Sequence, residues 1–323
     1  MSHDPLTIRG ERLRSMLAFE LGPQIREALA DPEVLDLVLN PDGSLWKATA
    51  FGMTPLSGGA MEPSAAEALI STVASLLEKV VTADQPILEG VLPFSDDLRF
   101  TGVLPPVSDS PLFAIRKRAS RIFDLETDYL RKGLLAPEDA ATLRRFLIER
   151  RNILVSGGTG SGKTSLVNAL LREIELLCPG TRCALLEDTA ELYVPSANSF
   201  RLLATPSTSI VVLLRTVLRL LPDRIVVGEV RGAEAHTLLK AWNTGHPGGL
   251  ATVHANSAPE AFLRLDQLIQ EAGVPSQAAL IAQTVHLVVH LAGRGSQLRV
   301  RDLVQVEGLG PDGFQLRSLR NHS

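Results

Sequence analysis

Apolar residues first take up helical spacing over 11–29, where Leu13, Met16, Leu17, Leu21, Ile25 and Leu29 gather on one side of a 3.6-residue turn. Asp31-Pro32 ends that pattern. Residues 34–39 then read as a strand, Asn40-Pro41-Asp42-Gly43 as a turn, and the residues through Trp46 as a second strand. Pro63 opens another helix, 63–81, carried by Ala66, Leu69, Ile70, Val73, Leu76 and Leu77. Short strands follow at 87–88, 98–103 and 112–116, separated by proline-rich turns. Together these elements make a small α+β domain, 1–118, and 119–137 reads as a linker with a short helix over 125–130.

Beyond Pro137 the pattern changes. A helix over 138–151 is packed by Ala141, Leu143, Phe146 and Leu147, and from there strand-like and helical runs alternate. The strands are expected at 152–156, 182–186, 225–228, 250–254 and 287–291. The helices between them are expected at 165–177, 210–220, 233–242, 259–271 and 277–285. Such alternation predicts an α/β domain, 138–323, with a mostly parallel sheet covered by helices. It closes in a turn-rich, strand-like segment over 299–317.

Composition narrows the class. Hydrophobic residues make up 45% of 323, enough for a sizeable core, and the net charge of −4 argues against a surface that coats duplex DNA. The start, Met1-Ser2-His3-Asp4-Pro5, lacks the basic and apolar parts of a secretory signal. The greasiest stretch, 210–221, is interrupted by Arg215 and Arg219 and is too short to span a bilayer. A cytoplasmic protein, or one docked peripherally on a membrane, is expected, with no transmembrane segment and no stable DNA binding. Cys178 and Cys183 are not at metal-ligand spacing and are expected to be free thiols.

The chemistry concentrates between the first parallel strand and its helix. Gly157-Gly158-Thr159-Gly160-Ser161-Gly162-Lys163-Thr164 matches G-x-x-x-x-G-K-[ST] without a mismatch, and Ser165 continues it into the helix. Glycines let the backbone wrap a phosphate with its N–H groups inward, and the helix start adds partial positive charge. Lys163 is expected to reach the β- and γ-phosphates of ATP, and the Thr164 hydroxyl to ligate Mg²⁺. Three further stretches fall at strand ends. Glu229 follows Gly228 where other hydrolases of this kind place an aspartate, so it could polarise the attacking water or hold the metal's hydration. Glu187, Asp188 and Glu191 crowd the end of the 182–186 strand. His254 and Asn256 close the glycine-rich run from Gly245, where a histidine could sense the terminal phosphate by hydrogen bonding.

In order, GGTGSGKT, EDTAEL, PDRIVVGEVRG and GGLATVHANS resemble the four motifs of the type II/IV secretion ATPases, and the resemblance runs from about Val34 to His290. The N-terminal Asn40-Pro41-Asp42-Gly43 turn and the Asn243–Gly249 run are most similar to the TrbB-type conjugal transfer branch. That resemblance implies a RecA-like C-terminal domain, a homohexamer, nucleotide between the two domains, and docking on inner-membrane components of the apparatus. It implies catalytic or metal-orienting roles for Glu187 and Glu191, carries the second-strand glutamate onto Glu229 and the box histidine onto His254, and makes Arg99 and Arg116 candidates for arginines lent by the N-terminal domain. Such an arginine can be worth roughly 10³–10⁵ in rate. Leu221 and Tyr193 depart from the usual pattern without removing a chemical group. The absence of a four-cysteine insert favours the conjugation branch over pilus extension. A pilus extension or retraction motor, a nucleic-acid translocase and a nucleotide-gated scaffold are the other readings of the same core.

Overall fold

The computed structural model describes residues 5–49, 52–92, 98–117, 123–293 and 297–320, and the chain divides into two packing units, Met1–Ser120 and Arg121–Ser323. In the first, the stretch expected as one helix forms two, α1 (Pro5–Glu20) and α2 (Gly22–Ala30). The break has a local cause: Gly22 takes φ +66°, and Pro23 has no N–H to continue the ladder. Then come β1 (Val34–Leu39), β2 (Ser44–Thr49), β3 (Gly52–Ala60), α3 (Pro63–Leu76), β4 (Ile87–Val91), β5 (Leu98–Val103) and β6 (Leu112–Lys117). The sheet runs β3-β2-β1-β6-β5-β4 with every neighbour antiparallel. β3 was not expected: its glycines and Pro55 carry no alternating pattern, and it is held as an edge by pairing with β2. α3 stops at Leu76 rather than Val81, ahead of Glu78 at φ +54°.

Alternation along the strands sorts this sheet's two faces. Leu37, Phe100 and Ile115 are paired across β1, β6 and β5 and are fully buried with α1, α2 and α3 side chains such as Leu17, Ile25 and Leu69. Their neighbours Asp36, Arg116 and Arg99 are therefore aligned on the opposite face.

The second unit opens with a π-helical turn (Leu125–Leu130), then α4 (Pro137–Ile148), β7 (Ile153–Gly157), α5 (Lys163–Leu177), β8 (Cys183–Glu187), β9 (Phe200–Leu203), α6 (Ile210–Val217) and β10 (Arg224–Val230). It continues with α7 (Glu234–Asn243), β11 (Leu250–Val253), α8 (Ala258–Glu271), α9 (Ala278–Thr284), β12 (Leu287–Ala292), β13 (Arg299–Gly310) and β14 (Gly313–Ser318). The order is β14-β13-β12-β7-β11-β10-β8-β9; β12 to β9 are parallel, and the β13–β14 hairpin is antiparallel. Period-2 patterning makes two cores. Leu154, Ala184, Leu186, Ile225, Val227 and Ala251 pack with residues of α6 to α9, while Ile153, Val155, Cys183, Leu185, Val226 and Leu250 pack with α4 and α5. This is the helix-covered, mostly parallel sheet of a RecA-like domain.

The stretch read as a linker contributes to the second of these cores, since Leu125, Tyr129 and Leu135 are buried with α4 and α5 side chains. Arg118 and 119–122 lie outside the described residues. α4 ends at Ile148, before Arg150 at φ +54°, rather than at Arg151. β9, too short to show a period, was also unexpected.

At the N-terminal edge of the parallel strands, buried polar groups tie the connections together. Asn152 Oδ1 accepts from Gly248 N (2.7 Å) and Gly249 N (2.9 Å), while its Nδ2 donates to Thr284 O (2.8 Å). Arg224, 1% exposed, donates to Gly248 O (3.0 Å) and Leu147 O (2.7 Å). The glycine pair is required here, because a Cβ at 249 would lie 2.0 Å from Trp242 Nε1. Cys178 and Cys183 are free thiols. Among the described residues no helix is long and apolar enough to cross a membrane.

Candidate active site

Because β12, β7, β11, β10 and β8 run parallel, their C-terminal ends emerge on one edge, bringing the phosphate-binding-type loop, His254, Glu229 and Glu187 to the same side of the sheet. β7 is buried along its whole length and passes into the loop at Gly157, where a Cβ would meet Ser161 Oγ at 2.4 Å and Leu291 O at 2.7 Å. Gly160 (φ +74°) and Gly162 (φ +77°) take the left-handed conformation, so the chain can turn back and start α5 at Lys163. Thr159 and Gly160 are exposed, and Gly158, Gly162, Lys163, Thr164 and Ser165 are half-buried. Lys163 Nζ folds over the loop to donate to Gly157 O (2.9 Å) and Gly158 O (3.1 Å). Burial of its ammonium draws Lys163 below the ordinary lysine value, with Glu229 opposing. Ser161 is 3% exposed and its Oγ has no hydrogen-bond partner among the described residues. An ordered cradle with an unsatisfied hydroxyl and a cation bonded only to carbonyls suits a polyanion.

Gly228 and Glu229 interrupt the pairing of β10 with β11, a bulge that re-aims the strand end, and Thr252 Oγ1 donates to Gly228 O at 2.7 Å. The backbone at Gly228 runs close to the Glu187 side chain. A Cβ there would lie 3.1 Å from Glu187 Cγ. Glu229 Oε2 accepts from Arg231 Nε (2.7 Å) and from its Nη2, and Arg231 Nη1 lies 3.8 Å from Asp188 Oδ2. Burial works against the Arg231 charge; Glu229, Asp188 and Glu191 overcome it and raise its pKa.

Glu187 is 3% exposed with both oxygens engaged inside the chain. Oε1 accepts from Glu191 N (2.9 Å) and Leu192 N (2.8 Å), and Oε2 from Arg201 Nε (2.9 Å). Burial pushes its pKa up, against those three donors. The acidic loop is held from its other side by Asn168 of α5, which donates to Glu191 O (3.0 Å) and accepts from Tyr193 N (2.7 Å). Glu187 thus shapes the loop that presents Asp188 and Glu191. His254 is exposed at the end of β11.

In the first unit, Arg99 and Arg116 face each other across β5 and β6, and Arg116 Nε donates to Asp36 Oδ1 at 2.7 Å. Two cations directly opposed repel unless a counter-charge intervenes, and Asp36 offsets Arg116.

Sequence reasoning missed Arg231, Arg201, Asn168 and His290. Arg231 had a readable signal, a cation just past Glu229 in the second-strand motif. Arg201 and Asn168 find their acidic-loop partners only through β9 pairing and helix packing. His290, 3% exposed with its Nδ1 3.0 Å from Ser156 Oγ, looks in the sequence like a lone polar residue in an apolar strand.

A family profile described as Type II/IV secretion system protein matches residues 65–305. A probable conjugal transfer protein TrbB of Sinorhizobium fredii is 44% identical over 308 residues, covering 95% of this chain and 94% of its own. A conjugal transfer protein TrbB of Rhizobium radiobacter is 42% identical over 304 residues, covering 94% and 93%. Among solved structures, the Legionella pneumophila ATPase DotB aligns with a TM-score of 0.61 at 18% identity, covering 83% of this chain and 74% of that one. At that identity the likeness speaks for the fold.

Proposed function

The chain belongs to the type II/IV secretion system protein family and stands with its TrbB-type conjugal transfer proteins; from that premise we propose that it hydrolyses ATP to drive a conjugative type IV secretion apparatus. The observation that carries the reading is the cradle at 157–164, with Ser161 Oγ buried and unbonded and Lys163 held only by loop carbonyls. Backbone N–H groups of the loop and Ser161 hold the phosphates, and Lys163 leaves the Gly157 and Gly158 carbonyls to meet the terminal anion. Thr164, at the start of α5, would hold Mg²⁺, and the ion would supply positive charge against the phosphate oxygens. Glu229 orients the attacking water once Arg231 shares it less tightly, Glu191 and Asp188 extend the acidic side, and His254 senses the terminal phosphate. Glu187 acts through the acidic loop it pins. Arg99 and Arg116 are, on the resemblance to the family, the candidates for neutralising phosphate charge. We place the protein in a homohexamer, cytoplasmic and peripheral at the inner membrane, docked on components of the conjugation apparatus.

The test is ATP turnover by the purified chain and mating frequency in cells. Lys163→Ala is expected to reduce both to background while leaving the fold intact by circular dichroism. Turnover at the wild-type rate in that variant would place the active site elsewhere.

A further inference from the structure

Three connections enter the parallel strands at the edge away from the phosphate loop: 149–152 before β7, 178–182 before β8 and 218–223 before β10. At this edge lies a cavity of about 300 Å³, walled by Ile148, Arg150, Cys178, Thr181, Asp223 and Arg224 among others. Its cations outnumber its anions. Arg224 is 1% exposed, and its bonds go to the carbonyls of Gly248 (3.0 Å) and Leu147 (2.7 Å) and, at 3.7 Å, to Cys178 Sγ. Its Nε, also buried, has no hydrogen-bond partner among the described residues. A guanidinium buried among carbonyls and a sulfur, with no carboxylate bonded to it, is costly. Arg150 is exposed and donates from Nη2 to Asp223 O (2.6 Å), while Asp223 Oδ2 accepts from Arg182 N (2.8 Å). The wall thus sets two guanidinium groups against one carboxylate, which a backbone N–H already engages.

The surroundings of the hollow are apolar and open. Ile148 is 58% exposed, Leu177 beside Cys178 is exposed, and Leu221, two residues before Asp223, is 82% exposed. Leu221 also takes φ +53°, a left-handed backbone in which leucine is strained. Neither burial nor backbone preference accounts for a large apolar side chain there, which points to a contact outside the chain. Apolar side chains beside a cationic hollow fit an occupant of complementary make-up, an aspartate or glutamate flanked by apolar residues. A hollow receives an inserted side chain, whereas the level surface of a bilayer would leave it empty. Because it lies at the far end of the strands that carry the phosphate loop and Glu229, it can be filled while nucleotide is bound.

We propose that this pocket, with Arg150, Ile148 and Leu221, docks an acidic, apolar-flanked segment of another protein of the conjugation apparatus. The assignment stands apart from the ATPase reading. Its test uses the full chain with Arg150→Glu, Arg150→Lys and Leu221→Ser, and a labelled amphipathic peptide of leucine and glutamate beside its twin with glutamine for glutamate. Fluorescence anisotropy should show wild type binding the glutamate peptide about 10-fold tighter than the twin, the worth of one charge-assisted bond. Arg150→Glu should erase that preference and Arg150→Lys keep part of it. Leu221→Ser should weaken both peptides by about 5–10-fold. In cells Arg150→Glu and Leu221→Ser should cut mating frequency, while ATP turnover of the purified variants stays within about 2-fold of wild type and their mass by light scattering is unchanged.

Equal binding of the two peptides by wild type overturns the proposal, as does wild-type mating in both variants. A changed subunit count in either variant overturns it by putting a second copy of the chain on this patch. Turnover lost in step with mating also overturns it, since damage to the domain would then explain both. Arg150- and Leu221-dependent sedimentation with phosphatidylglycerol vesicles, without a preference for the glutamate peptide, would assign the patch to a membrane instead. Should Arg150→Glu not fold, Leu221→Ser, at an exposed side chain, carries the same separation of mating from turnover. A wild-type chain without Lys163-dependent turnover would sink the ATPase reading and leave the peptide preference to be judged by itself.

Discussion

Truncating Glu187 separates a pinning role from a chemical one. In Glu187→Ala the N–H groups of Glu191 and Leu192, bonded at 2.9 and 2.8 Å, lose their acceptor, and Arg201, 19% exposed, loses its carboxylate at 2.9 Å. An unsatisfied buried donor costs ~1–3 kcal/mol, and removing one member of a buried ion pair costs ~3–5 kcal/mol. These terms share one side chain and do not add. Arg201 also keeps its bond to Leu192 O, so the expected loss is about 3–5 kcal/mol, a large part of a domain's ~5–15 kcal/mol. Glu187→Gln keeps Oε1 for the two N–H groups but turns an NH₂ toward Arg201, and should cost about half as much. Urea unfolding followed by Trp242, 3% exposed in the second unit, reads this as a fall in midpoint at unchanged m. Turnover per folded molecule, measured well below the midpoint, should stay within about 10-fold of wild type for Glu187→Gln. A Gln variant as stable as wild type whose kcat falls about 100-fold or more would refute the argument and put the carboxylate itself in the chemistry.

Asn152→Ala strips one acceptor from two glycine N–H groups and a donor from Thr284 O; a loss of about 2–4 kcal/mol is expected in urea unfolding, and a loss under about 0.5 would contradict it. Gly249→Ala drives a Cβ to within 2.0 Å of Trp242 Nε1 and 2.4 Å of Ile225 O, so the variant should express poorly or show a blue-shifted, broadened Trp242 environment; native-like fluorescence and stability would show that the strand start yields. Burial holds His246, His286 and His290 below the ordinary histidine value. The unfolded chain therefore binds more protons once pH drops below about 6.5, and stability should fall with acidification from there toward the lower folded-state values. Calorimetry should show a lower Tm at pH 5.5 than at 7.5, with a smaller difference in His290→Gln; equal Tm values at the two pH values would rule this linkage out.

Much of this protein could be read along the chain. The parallel strands other than β9 announced themselves because burial on both faces makes continuous apolar runs, and the phosphate loop because its glycines answer a local backbone demand that hardly depends on the rest of the fold. Arg99 and Arg116 could be proposed from resemblance, though only the β5–β6 register shows them opposed and Arg116 held by Asp36. The split at Gly22 was written in Gly22-Pro23, inside an otherwise unbroken apolar stripe. β3 and β9 carry no period, and became strands because a neighbour offered them a ladder. For Glu187, Arg231 and His290 the letters named the side chains and left their work open. Whether a carboxylate faces solvent, a cation or two backbone amides depends on which strand lies beside it, and that is settled only when segments distant in sequence pack together.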